Sequence, residues 1–124
     1  MNLFLLLAGL LAFTVFLTHL ILGGREIVRP FLAVERMPGI ARYTMYYCWH
    51  LVSITLAGMA LAFVMAAQPG GARGLALFAT TGAASFALLN FGMNLRFGLS
   101  FIRHPQGFLF LPVAAFGALG LWVG

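Results

Sequence analysis

The chain contains no lysine and no aspartate, and its only acids are Glu26 and Glu35. Charged residues fill 7% of its 124 positions, where a soluble domain carries about 25%. A chain so poor in charge cannot clothe itself in a water-facing surface. Most of its exterior must meet lipid, or a partner that is itself buried in lipid. Cysteine is nearly absent as well. Cys48 stands alone, which excludes an internal disulfide. No CxxC partner or neighbouring base marks it as a reactive thiol, so it reads as a small apolar packing group.

What remains is apolar. Hydrophobic residues make up 63% of the chain, 13 of them phenylalanine. Four segments approach the roughly 20 residues needed to cross the hydrocarbon core as a helix. They run over about 2–22, 43–67, 75–95 and 107–123. The first has no basic flank before it and no small-residue cleavage pattern after it, so it reads as a retained span rather than a signal peptide. Pro112 lies early in the fourth and should start or kink that helix. The length allows one domain, residues 1–124. The expected fold is an all-α integral membrane protein. Its four transmembrane helices run up-down-up-down.

The connections differ in character. Gly23 and Gly24 should end the first helix, and Pro38 and Gly39 mark a turn. Between them, "RPFLAVER" reads as a short interfacial helix with Pro30 in its first turn. The second link, "QPGGARG", is a tight glycine-rich turn. The third, "RFGLSFIRHPQ", mixes arginine with large apolar residues, as a segment half-sunk among headgroups would.

All seven basic residues are arginines, and the net charge is +5. Such a balance can signal nucleic-acid binding, but that needs an exposed soluble face, so no nucleic-acid partner is expected. The arrangement points to topology instead. Four alternating spans place Arg25, Arg29, Arg36, Arg42, Arg96 and Arg103 on one side and Arg73 alone on the other. That bias puts loops 23–42 and 96–106 in the cytoplasm and both termini in the periplasm. The alanine, glycine and arginine bias suits a bacterial inner membrane.

The same topology gathers the polar residues at the arginine-rich end. His19 closes the first span, His50 lies about 10 Å inside the second, and Asn90 and Asn94 end the third. His104 precedes the fourth, and Glu26 lies just beyond His19. At 100° per residue, Tyr43, Tyr46, Tyr47, His50, Ser53 and Ala57 share a face of the second span. Trp49 points away from that face and reads as an interfacial anchor. Stripes of small residues, Ala8 and Ala12 on the first span and Ala79, Ala83 and Ala87 on the third, let helix backbones approach closely. The expected bundle is therefore tight at the periplasmic end and polar inside at the cytoplasmic end.

Two readings of that polar end compete. In one, the histidines and asparagines only fasten helices, each bond adding about 0.6 kcal/mol. In the other they form a site, since ionisable groups inside a membrane are functional candidates. A ligand-binding cavity would comprise His50, Tyr46, Ser53, His19, Asn90, Asn94 and Arg103, holding the head of a lipid-like or quinone-like amphiphile. A metal site would use His19, His50 and His104 with Glu26 as a fourth ligand, since imidazole suits several transition metals. A b-type haem would use His19 and His50 as axial ligands. No HxxxH or HExxH spacing supports either of these last two. A small transporter would have to carry protons through His50, and it has neither the balanced flanking charge of a dual-topology exporter nor an acid in the first span. Nucleophilic hydrolysis is disfavoured, because no acid stands near Ser53 and His50 to orient a base. The function expected is a small inner-membrane binding or accessory subunit. Its candidate partners are the bilayer, a larger membrane complex or a second copy of itself.

Overall fold

The computed structural model describes residues 1–124 and is entirely helical, with no strands. It has four helices long and apolar enough to cross a membrane: α1 (Leu3–Leu32), α2 (Gly39–Ala66), α3 (Arg73–Phe97) and α4 (Gln106–Val123). Each packs against two neighbours, in the cyclic order α1, α2, α3, α4. The backbone N–H of Asn2, before α1, donates to the carbonyl of Ala67, just past α2. The Asn2 side chain caps α1 by accepting from Leu5 N–H and donates across to Gly120 of α4 at 2.8 Å.

The first helix departs from the sequence expectation. Gly23 and Gly24 do not end it. After Thr18 the helix widens into a π segment, His19–Val28, and closes with one α turn, Arg29–Leu32. The supposed separate interfacial helix is only this last turn, continuous with the span. Pro30 supplies the reason. It has no N–H for the carbonyl four residues back, and its ring would press on that carbonyl in a regular α-helix. The wider winding moves the bonding register, and Arg29 N–H reaches back five residues to Gly24. π-Helical bonding is rare and is usually confined to single turns, so a ten-residue stretch needs support from its neighbours. Trp49 provides some: a methyl group at Gly23 would overlap its ring. Only glycine admits the indole there.

The first connection thus shrinks to residues 33–38, and α2 begins at Gly39, four residues before the expected start. Arg42 closes this connection. Its guanidinium donates to the carbonyls of Val34, Glu35 and Met37, in the connection itself. The other boundaries fall within two residues of expectation. Pro112 lies inside α4 rather than at its start.

The core sits in one half of the bundle. Leu5, Ala8, Ala12 and Val15 of α1 meet Leu56, Met59, Ala60 and Phe63 of α2, Ala76, Ala79 and Ala83 of α3, and Val113 of α4. Both alanine stripes read from the sequence are buried there. Glycine extends the same close packing on α4: an added Cβ at Gly117 would strike the Thr80 hydroxyl and the Phe63 ring, and one at Gly120 would strike Leu5. Toward the other end burial nearly stops. No residue of α2 before Ser53 is buried, and only Val28, Ala87, Asn94 and Gly107 are buried elsewhere in that half.

Candidate functional site

The polar residues at the loosely packed end form two separate clusters, one in each helical pair. In the α1–α2 pair the centre is His19. Its ring lies flat on Trp49, with centroids 3.8 Å apart and planes within 16°. His19 Nε2 is 3.0 Å from Ser53 Oγ and 3.4 Å from the Trp49 carbonyl. A carbonyl oxygen only accepts, so the bond to Trp49 requires the proton on Nε2. The Ser53 hydroxyl donates to the same carbonyl at 3.1 Å, which leaves its oxygen free to accept from His19. Ser53 is the buried member of this trio.

The face of α2 that meets α1 is therefore Trp49, Ser53, Leu56, Ala60 and Phe63, at alternating spacings of four and three. Trp49 is not a detached interfacial anchor; it is the residue that grips α1 at His19 and Gly23. The face chosen from the sequence is rotated from this one and shares only Ser53. His50, Tyr43 and Tyr47 are exposed, and Tyr46 is half-buried. Tyr46 and His50, one turn apart, contact edge to face with centroids at 4.5 Å. Sequence phase alone does not separate these two faces, because both contain aromatic and hydroxyl residues. The small residues Ser53 and Ala60, three and four positions from large apolar ones, carry the distinguishing signal.

In the α3–α4 pair the two asparagines organise the turn between helices. Pro105 stands at the N-cap of α4 and offers no side-chain cap. Asn90 takes over from the neighbouring helix: Gly107 N–H donates to its Oδ1 at 2.9 Å, and its Nδ2 donates to Gln106 Oε1 at 3.2 Å. Asn94 Nδ2 donates to the His104 carbonyl at 3.0 Å. Gly98, at φ 62°, ends α3 in the left-handed conformation, and its N–H and that of Leu99 both return to the Asn94 carbonyl. A left-handed glycine closing a helix in this way is a common terminator. Gly107 packs on Phe91 and Asn90 where a side chain would not fit. Phe91, Phe101 and Phe108 bracket the turn with rings 5.1 to 6.3 Å apart. Asn94 is buried, and its Oδ1 has no hydrogen-bond partner.

The seven residues of the expected cavity are thus divided. His19 and Ser53 are bonded to one another, with Tyr46 and His50 on the adjoining surface of α2. Asn90 and Asn94 belong to the other pair and bind its turn, while Arg103 is exposed on that turn. Every side-chain hydrogen bond and ring contact that joins the two pairs lies at the opposite end, through Asn2 to Gly120 and Phe4 to Phe116. The expected metal ligands are not brought together either. His104 lies on the α3–α4 turn, Glu26 is exposed on the π segment, and His19 is engaged by Trp49 and Ser53. No three histidine, cysteine or acidic side chains are grouped to hold an ion. A bis-histidine haem would need the His19 ring lifted from Trp49 and its Nε2–H bonds broken.

Residues to which the sequence reading gave other roles, or none, matter most for the architecture. Trp49, Gly23 and Arg42 shape the α1–α2 pair, and Gln106 and Gly107 complete the Asn90 bridge. For Gly107 the signal was present, since a helix that opens on Pro105, which cannot cap, with glycine two residues on implies help from elsewhere. No family model, characterised protein or solved structure matches this chain.

Proposed function

We propose that this chain is a bacterial inner-membrane protein that crosses the bilayer four times, up-down-up-down, as one bundle. The connection at residues 33–38 and the α3–α4 turn face the cytoplasm, and both termini face the periplasm. Six arginines at one end against Arg73 at the other support this orientation. Helix length agrees with it. α2, at 28 residues, is about 42 Å long and exceeds a hydrocarbon core of about 30 Å, so its first turns reach the headgroup layer. Labelling tests the orientation. With Cys48→Ser as background, a cysteine at Gly39 should react only from the cytoplasm and one at Gly71 only from the periplasm. Equal access of both from one side defeats the reading.

Within that frame the protein acts as a binding or accessory subunit. Its ligand is an amphiphile of lipid or quinone type, whose polar head meets His19, Trp49, Tyr46 and His50 at the cytoplasmic headgroup level. The tail lies along the uncovered half of α2. The single observation that carries this reading is the absence of any buried residue in α2 before Ser53. Trp49 packs on α1 at His19 and Gly23, but Tyr43, Tyr47 and His50 in the same half of the helix are exposed. In lipid, a histidine so placed needs a polar companion. The phenols, the indole N–H and the imidazole of His50 supply donors and acceptors within about 10 Å of helix rise.

Extraction and mass spectrometry of the gently purified protein test the ligand. A defined amphiphile should co-purify with the native chain and be lost from Trp49→Ala and His50→Ala. Retention by both variants, or no bound amphiphile at all, removes this reading. A Soret band that vanishes in His50→Ala would put a haem protein in its place. Co-purification of a larger membrane complex, without a small ligand, would favour the accessory role alone.

A further inference from the structure

The arginines at the polar end do not share one role. Arg42 is turned inward on the carbonyls of the first connection. Arg25, Arg29, Arg36, Arg96 and Arg103 are exposed, and none of their guanidinium groups makes a hydrogen bond within the chain. The Arg103 backbone N–H is held by Ser100 Oγ, but its side chain is free. Arg96 lies over the Phe97 ring at 5.7 Å, which keeps its planar group at the protein surface.

Their heights coincide. Asn2, Ala67 and Gly120 are bonded together at the opposite end and set a common base for the helices. Arg73 and Arg96 bracket α3 and stand about 35 Å apart along its axis at 1.5 Å per residue. Arg25 stands at most about 33 Å above Leu3 on the same rise, since a π segment winds more residues into each turn. Arg29 follows one turn later on α1, and Arg103 lies on the turn just beyond α3. Given a hydrocarbon core of about 30 Å, Arg25, Arg96 and Arg103 reach the layer of lipid phosphates. Glu26 is the only acid close to them in sequence.

We propose that two patches at one height, Arg25 with Arg29 on α1 and Arg96 with Arg103 at the end of α3, bind anionic phospholipids of the cytoplasmic leaflet. The inference rests on the membrane reading above and names one class of amphiphile at the same end of the bundle. Charge complementarity selects this occupant. A guanidinium binds two phosphate oxygens at once, whereas a quinone head carries no charge for these groups to meet. The anionic leaflet attracts such cations at its surface. The apolar flank that the acyl chains need is present as well: Leu95, Phe97 and Ile102 are exposed beside Arg96 and Arg103.

Competition between lipids tests the proposal. Detergent-solubilised protein is mixed with equal amounts of phosphatidylglycerol and phosphatidylcholine, and bound lipid is counted by native mass spectrometry. The native chain should retain phosphatidylglycerol several-fold over phosphatidylcholine. The preference should fall to parity in Arg25→Gln/Arg29→Gln/Arg96→Gln/Arg103→Gln and persist in Arg73→Gln. If the fourfold variant does not fold, the pairs Arg25→Gln/Arg29→Gln and Arg96→Gln/Arg103→Gln are compared separately, and each should halve the preference. Equal retention of both lipids by the native chain overturns the proposal, and so does an unchanged preference in the arginine variants. Excess glycerol phosphate should not displace the lipid; if it does, the surface is a site for free phosphate. His50→Ala keeps the two ideas apart: exposed on α2 and away from the end of α1 that carries Arg25 and Arg29, it should release the amphiphile of the α2 face and leave the phosphatidylglycerol preference intact.

Discussion

The half of the bundle that ends at Arg73 and the half that ends at Arg42 and Arg96 are built from the same four helices and pack in opposite ways. At the Arg73 end, alanine and glycine bring the backbones together, and Phe63, Leu56 and Val113 fill the space between them. All four helices contribute. At the other end the bundle is two pairs, each stitched internally by its own polar group. His19 joins α1 to Ser53, and Asn90 joins α3 to the start of α4. The difference is the one expected of a bundle that packs in lipid, the setting proposed above. With lipid tails as apolar as leucine, helices associate through close fit and hydrogen bonds rather than through exclusion of water. Small residues supply fit without polarity. Histidine and asparagine supply a bond at one point, and they leave the remaining surface open for other molecules.

The contrast can be broken most readily at the tight end. Phe63→Ala removes a fully buried ring from the point where α1, α2 and α4 meet. It should cost about 3 kcal/mol or more, measured by reversible unfolding in mixed micelles. A cost below about 1 kcal/mol would mean the core is not closed there. Gly117→Val comes next. The added atoms meet Thr80 and Phe63, and overpacking of this kind should cost about 1–3 kcal/mol. At the polar end the effects should be smaller. Asn90→Ala uncaps α4 and should cost about 1 kcal/mol, with faster amide exchange at Gly107 as its local signature. His19→Ala should cost about 0.6 kcal/mol, the usual worth of an interhelical bond in a membrane bundle. His50→Ala should change stability by less than about 0.5 kcal/mol, as a surface substitution does, while releasing any bound amphiphile. If His50→Ala proved more damaging to stability than His19→Ala, the assignment of the two histidines to surface and seam would be reversed.

Much of the fold was legible because apolar length and small-residue spacing are properties of single helices. The four apolar runs and the stripes at Ala8 and Ala12 and at Ala79, Ala83 and Ala87 emerged where periodicity put them. The first helix misled for a local reason. Two adjacent glycines ordinarily terminate a helix, but here a partner ring fills the space that Gly23 leaves. A contact across 26 positions in sequence, from Gly23 to Trp49, is invisible to a rule about neighbours. The site was legible in composition and not in grouping. His19, Ser53, Asn90 and Asn94 were all identified as polar groups facing other helices, yet whether they share one cavity depends on which helices pair at that level.

Apolar run length, the arginine imbalance and the alanine periodicity lie within the sequence, because each acts along one segment or through a sum of charges. From them follow the number of long helices, the end that gathers polarity and the end that packs tightly. The tertiary structure decided which histidine turns inward, because Trp49 rather than His50 meets α1. It also decided that Asn90 caps a helix other than its own and that α1 continues through its glycines. Each of these outcomes depends on the shape of a neighbouring surface, and that surface exists only once the helices have met.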